Sequence, residues 1–90
     1  MDYKYKKALV VDDSKLIRQN IIKVLKDLGF GETMGAENGA AGLKKLSEEP
    51  VDLIVSDWNN PGMTGLDFLK AVRADTDLKR TAFILSLIHI

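Results

Sequence analysis

The 90-residue sequence predicts an α/β fold with a parallel sheet. The short apolar runs ALVV and VDLIVS are typical of strands that are buried on both faces. Between them, apolar residues recur every three to four positions, which is the period of an amphipathic helix. Strands that alternate with helices through short turns indicate right-handed βαβ units, so we expect the strands to be parallel.

The first half of the chain predicts two strands and two helices. Residues 8–11 form the first strand, and the helix that follows has Ser14 as its N-cap and ends at Gly29. The run ETMGAENG predicts a weak strand that ends in a turn at Asn38 and Gly39. The predicted buried stripe of the first helix is Leu16, Ile17, Ile21, Val24, Leu25 and Leu28, and that of the second helix is Ala40, Leu43 and Leu46.

The second half predicts two further strands with one helix between them. VDLIVS forms a strand after Pro50, Thr64 caps the third helix, and TAFILSLIHI is a final β-rich run. The predicted buried face of the third helix is Leu66, Phe68, Leu69 and Val72.

Composition limits the class of protein. The chain has 13 Lys and Arg residues against 13 Asp and Glu residues, so its charge gives no indication of direct nucleic-acid binding. It has no cysteine, which excludes disulfides and thiolate sites. With no signal peptide and no apolar run of about 20 residues, we expect one cytoplasmic domain that does not bind a membrane.

Acidic residues follow two of the predicted strands. Asp12 and Asp13 follow the first, while Asp57 and Asn59 follow the third. Because ligands of parallel α/β sheets bind beyond the carboxyl ends of the strands, we expect Asp57 just past its strand as an exposed carboxylate. If these strands are neighbours, three carboxylates converge and require a cation, and oxygen ligands favour Mg²⁺. One carboxylate could then accept a phosphoryl group.

Each motif taken alone also has an ordinary structural interpretation. VDD followed by Ser is a common helix start, because acidic residues are favoured near a helix N-terminus. SDWNNPG has the composition of a plain turn. The occurrence of both motifs at strand ends favours a functional acidic site.

Four segments together resemble the receiver domain of bacterial two-component response regulators, in particular the chemotaxis regulators of the CheY kind. The resemblance runs from about residue 7 to residue 84, and it implies a flavodoxin-like, doubly wound parallel sheet. It also implies a phosphorelay protein that is not an enzyme beyond slow self-phosphorylation and autodephosphorylation. The segments are ALVVDDSKLIRQNI, AENGAAGLKKL, DLIVSDWNNPGMTGLDFLKAVRAD and TAFI.

The resemblance assigns roles to particular residues. Asp57 is the phosphoacceptor, Asp13 binds Mg²⁺ directly, Asp12 acts partly through water, and Asn59 offers its backbone carbonyl. A sensor histidine kinase is the implied phosphodonor, and a flagellar motor protein or another downstream protein is the implied target. Two alternatives are a truncated, non-phosphorylatable interaction module and a metal-dependent aspartyl phosphatase. Pro61 and Gly65 shape the loop into the third helix, and Trp58 is typical of the chemotaxis branch.

The chain also departs from the family pattern. A receiver has five strands and five helices, so we expect the fourth helix, fifth strand and fifth helix to be missing. The hydroxyl that contacts the phosphoryl group aligns with Leu87, and Ser86 is a doubtful substitute because a one-residue slip reverses the side chain's direction. The family's lysine has no counterpart, since no Lys follows Arg80.

The last residues predict a non-native tail. LSLIHI, residues 85–90, is the translation of CTG TCT CTT ATA CAC ATC, the end of a transposase-based sequencing adaptor. We therefore expect residues 1–84 to be a partial receiver domain, and we do not expect His89 to be a ligand. Truncation should leave an exposed sheet edge through which two copies could form a homodimer.

Overall fold

The fold is a four-stranded parallel sheet with helices on both faces, as the sequence predicts. The computed structural model describes residues 6–57, 63–75 and 81–86, without the side chains of residues 85 and 86. No helix in these ranges is long and apolar enough to cross a membrane. The strand order is β2-β1-β3-β4. The elements are β1 (Lys7–Val11), α1 (Lys15–Asp27), β2 (Glu32–Ala36), α2 (Gly39–Glu48), β3 (Leu53–Asp57), α3 (Gly65–Ala74) and β4 (Ala82–Ser86).

The sheet separates two apolar clusters because successive strand residues point to opposite faces. Leu9 and Ile54 belong to the larger cluster, which α2 and α3 cover with Leu46 and Phe68. Ala8, Val10 and Val55 belong to the smaller cluster, which includes Leu25 of α1. Helices therefore cover both faces, and the predicted doubly wound architecture is confirmed.

The first helix ends at the glycine that the sequence predicts. Gly29 has a φ of 102°, a left-handed conformation that glycine adopts without steric cost. Its N–H donates to the carbonyl of Lys26 at 2.9 Å, and the N–H of Phe30 donates to the carbonyl of Leu25 at 3.2 Å. These two bonds form a Schellman motif, and the Leu25 and Phe30 side chains share one apolar cluster. The motif therefore turns the chain from α1 towards β2.

The predicted buried stripes are wider than the buried faces that the structure contains. Leu16 and Val24 on α1 are 69% and 57% exposed, and the C-cap residue Leu28 is 57% exposed. The contacts of the helix with β1 and β2 thus leave these three side chains largely in solvent. Ala40 on α2 is exposed, and Leu66 on α3 is 40% exposed, so both predictions of burial are wrong. Periodicity identifies the side of a helix that faces the sheet, but the width of the contact depends on the neighbouring elements.

The second helix begins where the sequence predicts only a turn. The Asn38 side chain accepts a hydrogen bond from the N–H of Ala41 at 2.8 Å, so Asn38 is an N-cap. Gly42, one turn later, is buried against α3 and β1. A Cβ atom at this position would lie 3.0 Å from Phe68 Cζ and 3.1 Å from Val11 Cγ2. The absence of a side chain at Gly42 thus allows α2 to approach the core closely.

We expect Gly42→Val to destabilise the fold by about 1–3 kcal/mol, because the added carbons would be forced against the side chains of Phe68 and Val11. Urea denaturation followed by circular dichroism measures this change. Ala40→Val is the matched control, since Ala40 lies on the exposed side of the same helix. The control should cost about 0.5 kcal/mol, the difference in helix propensity alone. Equal losses from both variants would contradict the proposed close packing.

A small ionic network joins three segments at the amino ends of the strands. The Lys7 ammonium pairs with Glu49, which follows α2, and lies 3.6 Å from a carboxylate oxygen of Glu32 on β2. The backbone N–H of Lys7 donates to Asp52 at 2.9 Å. Hydrogen bonding to Glu49 raises the pKa of Lys7, and the bond from Lys7 lowers the pKa of Glu49. The network connects β1 to segments that are distant in the sequence.

The lowered pKa of Glu49 predicts a pH-dependent stability difference. The ion pair of Glu49 with Lys7 stabilises the fold fully at pH values above the ordinary carboxyl pKa of 4.5. This stabilisation is lost as the pH falls through the lower pKa that Glu49 has in the folded state. Glu49→Gln should therefore lower the melting temperature slightly at pH 7 and leave it unchanged in strong acid. Because these groups are exposed, the effect is small. A melting-temperature difference that persists at low pH would contradict this assignment.

Candidate metal and phosphoacceptor site

The strand order brings the predicted acidic residues to one edge of the sheet. Strands β1 and β3 are neighbours, and Val11 pairs with Ser56 in their parallel register. Asp12 directly follows β1, and Asp57 is the last residue of β3. The carboxyl ends of both strands therefore meet at the edge where ligands of α/β proteins bind.

Three carboxylates converge at this edge. Asp12, Asp13 and Asp57 each place one carboxylate oxygen within 4.8 Å of the others. Asp12 and Asp57 are only 2% and 3% exposed, whereas Asp13 is exposed. The prediction that Asp57 is an exposed residue past its strand is therefore wrong. The strand extends one residue further than predicted because Asp57 pairs with Ser86 of β4.

The turn from β1 into α1 holds Asp12 through local hydrogen bonds. Its Oδ1 accepts a bond from the N–H of Ser14 at 2.8 Å, and its own N–H donates to the carbonyl of Ala36 at 3.0 Å. Ser14 is the predicted N-cap, with its hydroxyl accepting from the N–H of Ile17 at 3.3 Å. One Asp12 oxygen is thereby fixed at the amino end of α1, where the helix dipole favours negative charge.

Arg18 contributes to this turn in a way that the sequence does not indicate. Its Nη1 donates to the backbone carbonyl of Asp12 at 2.7 Å. The side chain passes Gly35 of β2, where a Cβ atom would lie 3.0 Å from Arg18 Cδ. This contact joins α1, β1 and β2. The local pattern of an amphipathic helix does not indicate that Arg18 makes this contact. The neighbouring turn is different, because an Asp two residues before a Ser is a common sequence signal for an Asx-type turn.

The charges and donor atoms of the site fit a hard divalent cation. Carboxylates whose oxygens lie within 4.8 Å of one another repel when ionised, and a bound cation would relieve that repulsion. Oxygen ligands of Mg²⁺ bind at about 2.1 Å, so two ligands of one ion lie at most about 4.2 Å apart. Each of the three residues offers one carboxylate oxygen to such an ion. The donor set contains oxygen alone, which favours Mg²⁺ or Ca²⁺ over softer metals.

The other predicted site residues fall into two groups. Gly65 is buried as the first residue of α3, after the N-cap Thr64, whose hydroxyl accepts from the N–H of Asp67 at 3.1 Å. The backbone of Ser86 lies opposite Asp57 in the β3–β4 register, but its side chain is outside the described part of the chain. Also outside the described residues are Trp58, Asn59, Pro61, Arg80, Leu87 and His89.

Comparison with known proteins identifies the family to which this chain belongs. Residues 8–86 match the family described as the response regulator receiver domain. The chain therefore belongs to the receiver domain family, and the resemblance inferred from the sequence motifs is confirmed.

Within this class, the chain is similar to chemotaxis proteins. It is 49% identical over 73 residues to chemotaxis protein CheY of Pseudomonas aeruginosa. The aligned region covers 81% of this chain and 59% of that protein. It is 45% identical over 73 residues to CheY-3 of Vibrio cholerae, covering 81% of this chain and 56% of that protein. The chain thus spans less than two thirds of the length of these relatives.

Solved structures share the fold. The chemotaxis response regulator CheY4 of Vibrio cholerae superposes with a TM-score of 0.83 at 41% identity, covering 89% of this chain and 66% of that chain. The signal receiver domain of a signal transduction histidine kinase from Syntrophus aciditrophicus gives a TM-score of 0.85 at 28% identity. That match covers 90% of this chain and 61% of the other. Similar receivers therefore occur in different signalling proteins.

Proposed function

We propose that this chain is a phosphorelay receiver that accepts a phosphoryl group on Asp57 from a histidine kinase. Convergence of Asp12, Asp13 and Asp57 at the carboxyl ends of β1 and β3 is the observation that carries this proposal. Membership of the receiver family and similarity to CheY proteins support a role in chemotaxis signalling in the cytoplasm. A flagellar motor protein is the proposed downstream partner.

The Asp57 carboxylate is the nucleophile in this proposal. One of its oxygens attacks the phosphorus of a phosphohistidine or a small acyl phosphate, and a new O–P bond forms. The bond from phosphorus to the donor breaks, and its electron pair leaves with the donor group. Asp57 is held on one side by its pairing with Ser86 of β4, and the preceding residue, Ser56, pairs with both β1 and β4. Such fixation favours the in-line approach that phosphoryl transfer requires.

Asp12, Asp13 and Asp57 would hold Mg²⁺, which supplies charge neutralisation for the transferring phosphoryl oxygens. Asp13 is the proposed direct ligand because its side chain is exposed at the site. Asp12 already accepts a hydrogen bond from Ser14, and we propose that it acts partly through water. The backbone carbonyl of Asn59 is the fourth proposed ligand.

Incubation with acetyl phosphate tests the proposal. The intact protein should gain the mass of one phosphoryl group in the presence of Mg²⁺, and chelation with EDTA should prevent this gain. The product should be cleaved by hydroxylamine, as an acyl phosphate is. Absence of labelling with a folded protein would favour the non-phosphorylatable interaction module. Multiple turnover on a phosphate ester would favour the aspartyl phosphatase.

A further inference from the structure

Three hydrogen bonds close the turn that contains Asp13, the exposed residue of the acidic site. Asp12 Oδ1 accepts from the N–H of Ser14 at 2.8 Å, and the carbonyl of Ser14 accepts from the N–H of Arg18 at 2.9 Å. The third bond runs from Arg18 Nη1 to the carbonyl of Asp12 at 2.7 Å. The first turn of α1 therefore returns to the peptide unit that joins Asp12 to Asp13.

The bond from Arg18 constrains the backbone of Asp13. The carbonyl of Asp12 and the N–H of Asp13 belong to one planar peptide unit, so a bond to this oxygen limits the rotation of that unit. The N–H of Asp12 is held as well, because it donates to the carbonyl of Ala36 on β2 at 3.0 Å. The guanidinium is always charged, and charge-assisted hydrogen bonds are roughly twice as strong as neutral ones. A contact from α1 thus sets the direction in which the Asp13 side chain leaves the backbone.

The path of the Arg18 side chain depends on Gly35 of β2. A Cβ atom at this position would lie 3.0 Å from Arg18 Cδ and 3.2 Å from its Nε. Arg18 is half-buried, so the side chain is confined between its own helix and the sheet. The absence of a side chain at Gly35 therefore allows the guanidinium to reach the end of β1.

We propose that Arg18 is a positioning residue that sets the affinity of the acidic site for Mg²⁺. The proposal rests on the role as a metal ligand that is proposed above for Asp13. A ligand whose backbone is already fixed loses less conformational freedom when it binds the ion, so binding is tighter. Groups that orient a metal ligand in this way typically contribute roughly 10–100-fold to metal affinity.

The charge of Arg18 and its hydrogen bond affect metal binding in opposite directions. A positive charge near the site repels Mg²⁺, so its removal alone would tighten binding. Loss of the bond to the Asp12 carbonyl frees the peptide unit before Asp13, so it would weaken binding. The sign of the change in Arg18→Gln therefore distinguishes positioning from a simple effect of charge. Gln and Arg have similar helix propensities, which keeps α1 itself little changed.

Titration of Trp58 emission with Mg²⁺ in the full chain tests the proposal. Arg18→Gln should raise the Mg²⁺ dissociation constant by at least about tenfold. The Mg²⁺ concentration that gives half-maximal labelling by acetyl phosphate should rise equally, while the labelling rate at saturating Mg²⁺ should be retained. This separation is expected because Arg18 acts on metal affinity and does not contact the phosphoryl group. Circular dichroism verifies that the variant is folded.

Arg73→Gln is the matched control. Arg73 Nη1 on α3 also donates to a backbone carbonyl, that of Thr81, at 2.6 Å. Thr81 directly precedes β4, so this contact lies at the amino ends of the strands, away from the acidic site. The control loses the same charge and the same kind of bond, and it should leave the Mg²⁺ dissociation constant unchanged.

Gly35→Ala perturbs the same contact without a change in the turn itself. The added methyl group should displace the Arg18 side chain and raise the Mg²⁺ dissociation constant. In the Arg18→Gln background it should have little further effect, because the two residues act through one contact. Additive effects of the two substitutions would contradict this route.

The outcomes separate this proposal from the proposed function. A dissociation constant that Arg18→Gln lowers, leaves unchanged or raises no more than Arg73→Gln does would overturn the role of Arg18 and leave the metal site intact. If the emission of the unsubstituted folded chain does not respond to Mg²⁺, the metal site itself is overturned, and the role of Arg18 with it.

Discussion

Asp57→Asn should abolish phosphorylation of the chain by acetyl phosphate. The amide that replaces the carboxylate is not a nucleophile towards phosphorus, although it has nearly the same shape and size. We expect the labelling rate to fall by at least about a thousandfold, a loss of the size seen when an enzyme's covalent nucleophile is removed. Intact-mass spectrometry over time measures the rate, with circular dichroism to verify the fold.

The matched control for this substitution is Asp27→Asn. Asp27 is exposed at the carboxyl end of α1, far in the sequence from the acidic site, and this variant loses the same charge. It should be labelled at the rate of the unmodified chain. Labelling of the Asp57→Asn protein at an undiminished rate would place the phosphoacceptor elsewhere and would remove the basis of the proposed function.

Phe68→Ala should have the largest effect on stability. Phe68 is fully buried at the junction of α3, α2 and the sheet, and its ring lies edge to face on Phe83 with centroids 5.4 Å apart. Truncation to alanine leaves a cavity between elements that cannot collapse fully, at a cost of about 3–5 kcal/mol. Domains of this size have a free energy of unfolding of about 5–15 kcal/mol in total, so this one substitution should remove a large part of it.

Urea denaturation distinguishes the loss of this core contact from a general effect of α3 substitutions. Leu66→Ala, two residues away on the same helix, removes a side chain that is 40% exposed. It should cost less than about 1 kcal/mol, as expected for an exposed position. Similar midpoints for the two variants would show that Phe68 is not the packing centre of this face.

Local signals were sufficient to predict most of the fold. The buried strands appear as short apolar runs, and the capping residues Ser14, Gly29 and Thr64 occupy the predicted ends of their helices. Asn38 was misread because Asn-Gly is a turn signal and equally a helix start. Whether the pair forms a turn or a helix start depends on whether the following segment packs against the core as a helix. Here α2 does so, and it contacts Phe68 of α3 through Gly42.

The remaining differences have long-range causes. The burial of Asp57 depends on the pairing of β3 with β4, and the convergence of Asp57 with Asp12 depends on the adjacency of β1 and β3. The contact of Arg18 with the carbonyl of Asp12 requires the space left by Gly35 on a third element. Local sequence patterns contain the residues of such arrangements but not the distances between them.

Titration with Mg²⁺ tests the central claim most directly, because that claim is a divalent cation site beside Asp57. Trp58 is the only tryptophan and follows Asp57 in the chain, so its emission is a suitable probe. We predict a saturable change in emission with Mg²⁺ that is lost in Asp13→Ala and retained in Asp27→Asn. Emission that does not respond to Mg²⁺ in the folded protein, or that responds equally in Asp13→Ala, would contradict the claim.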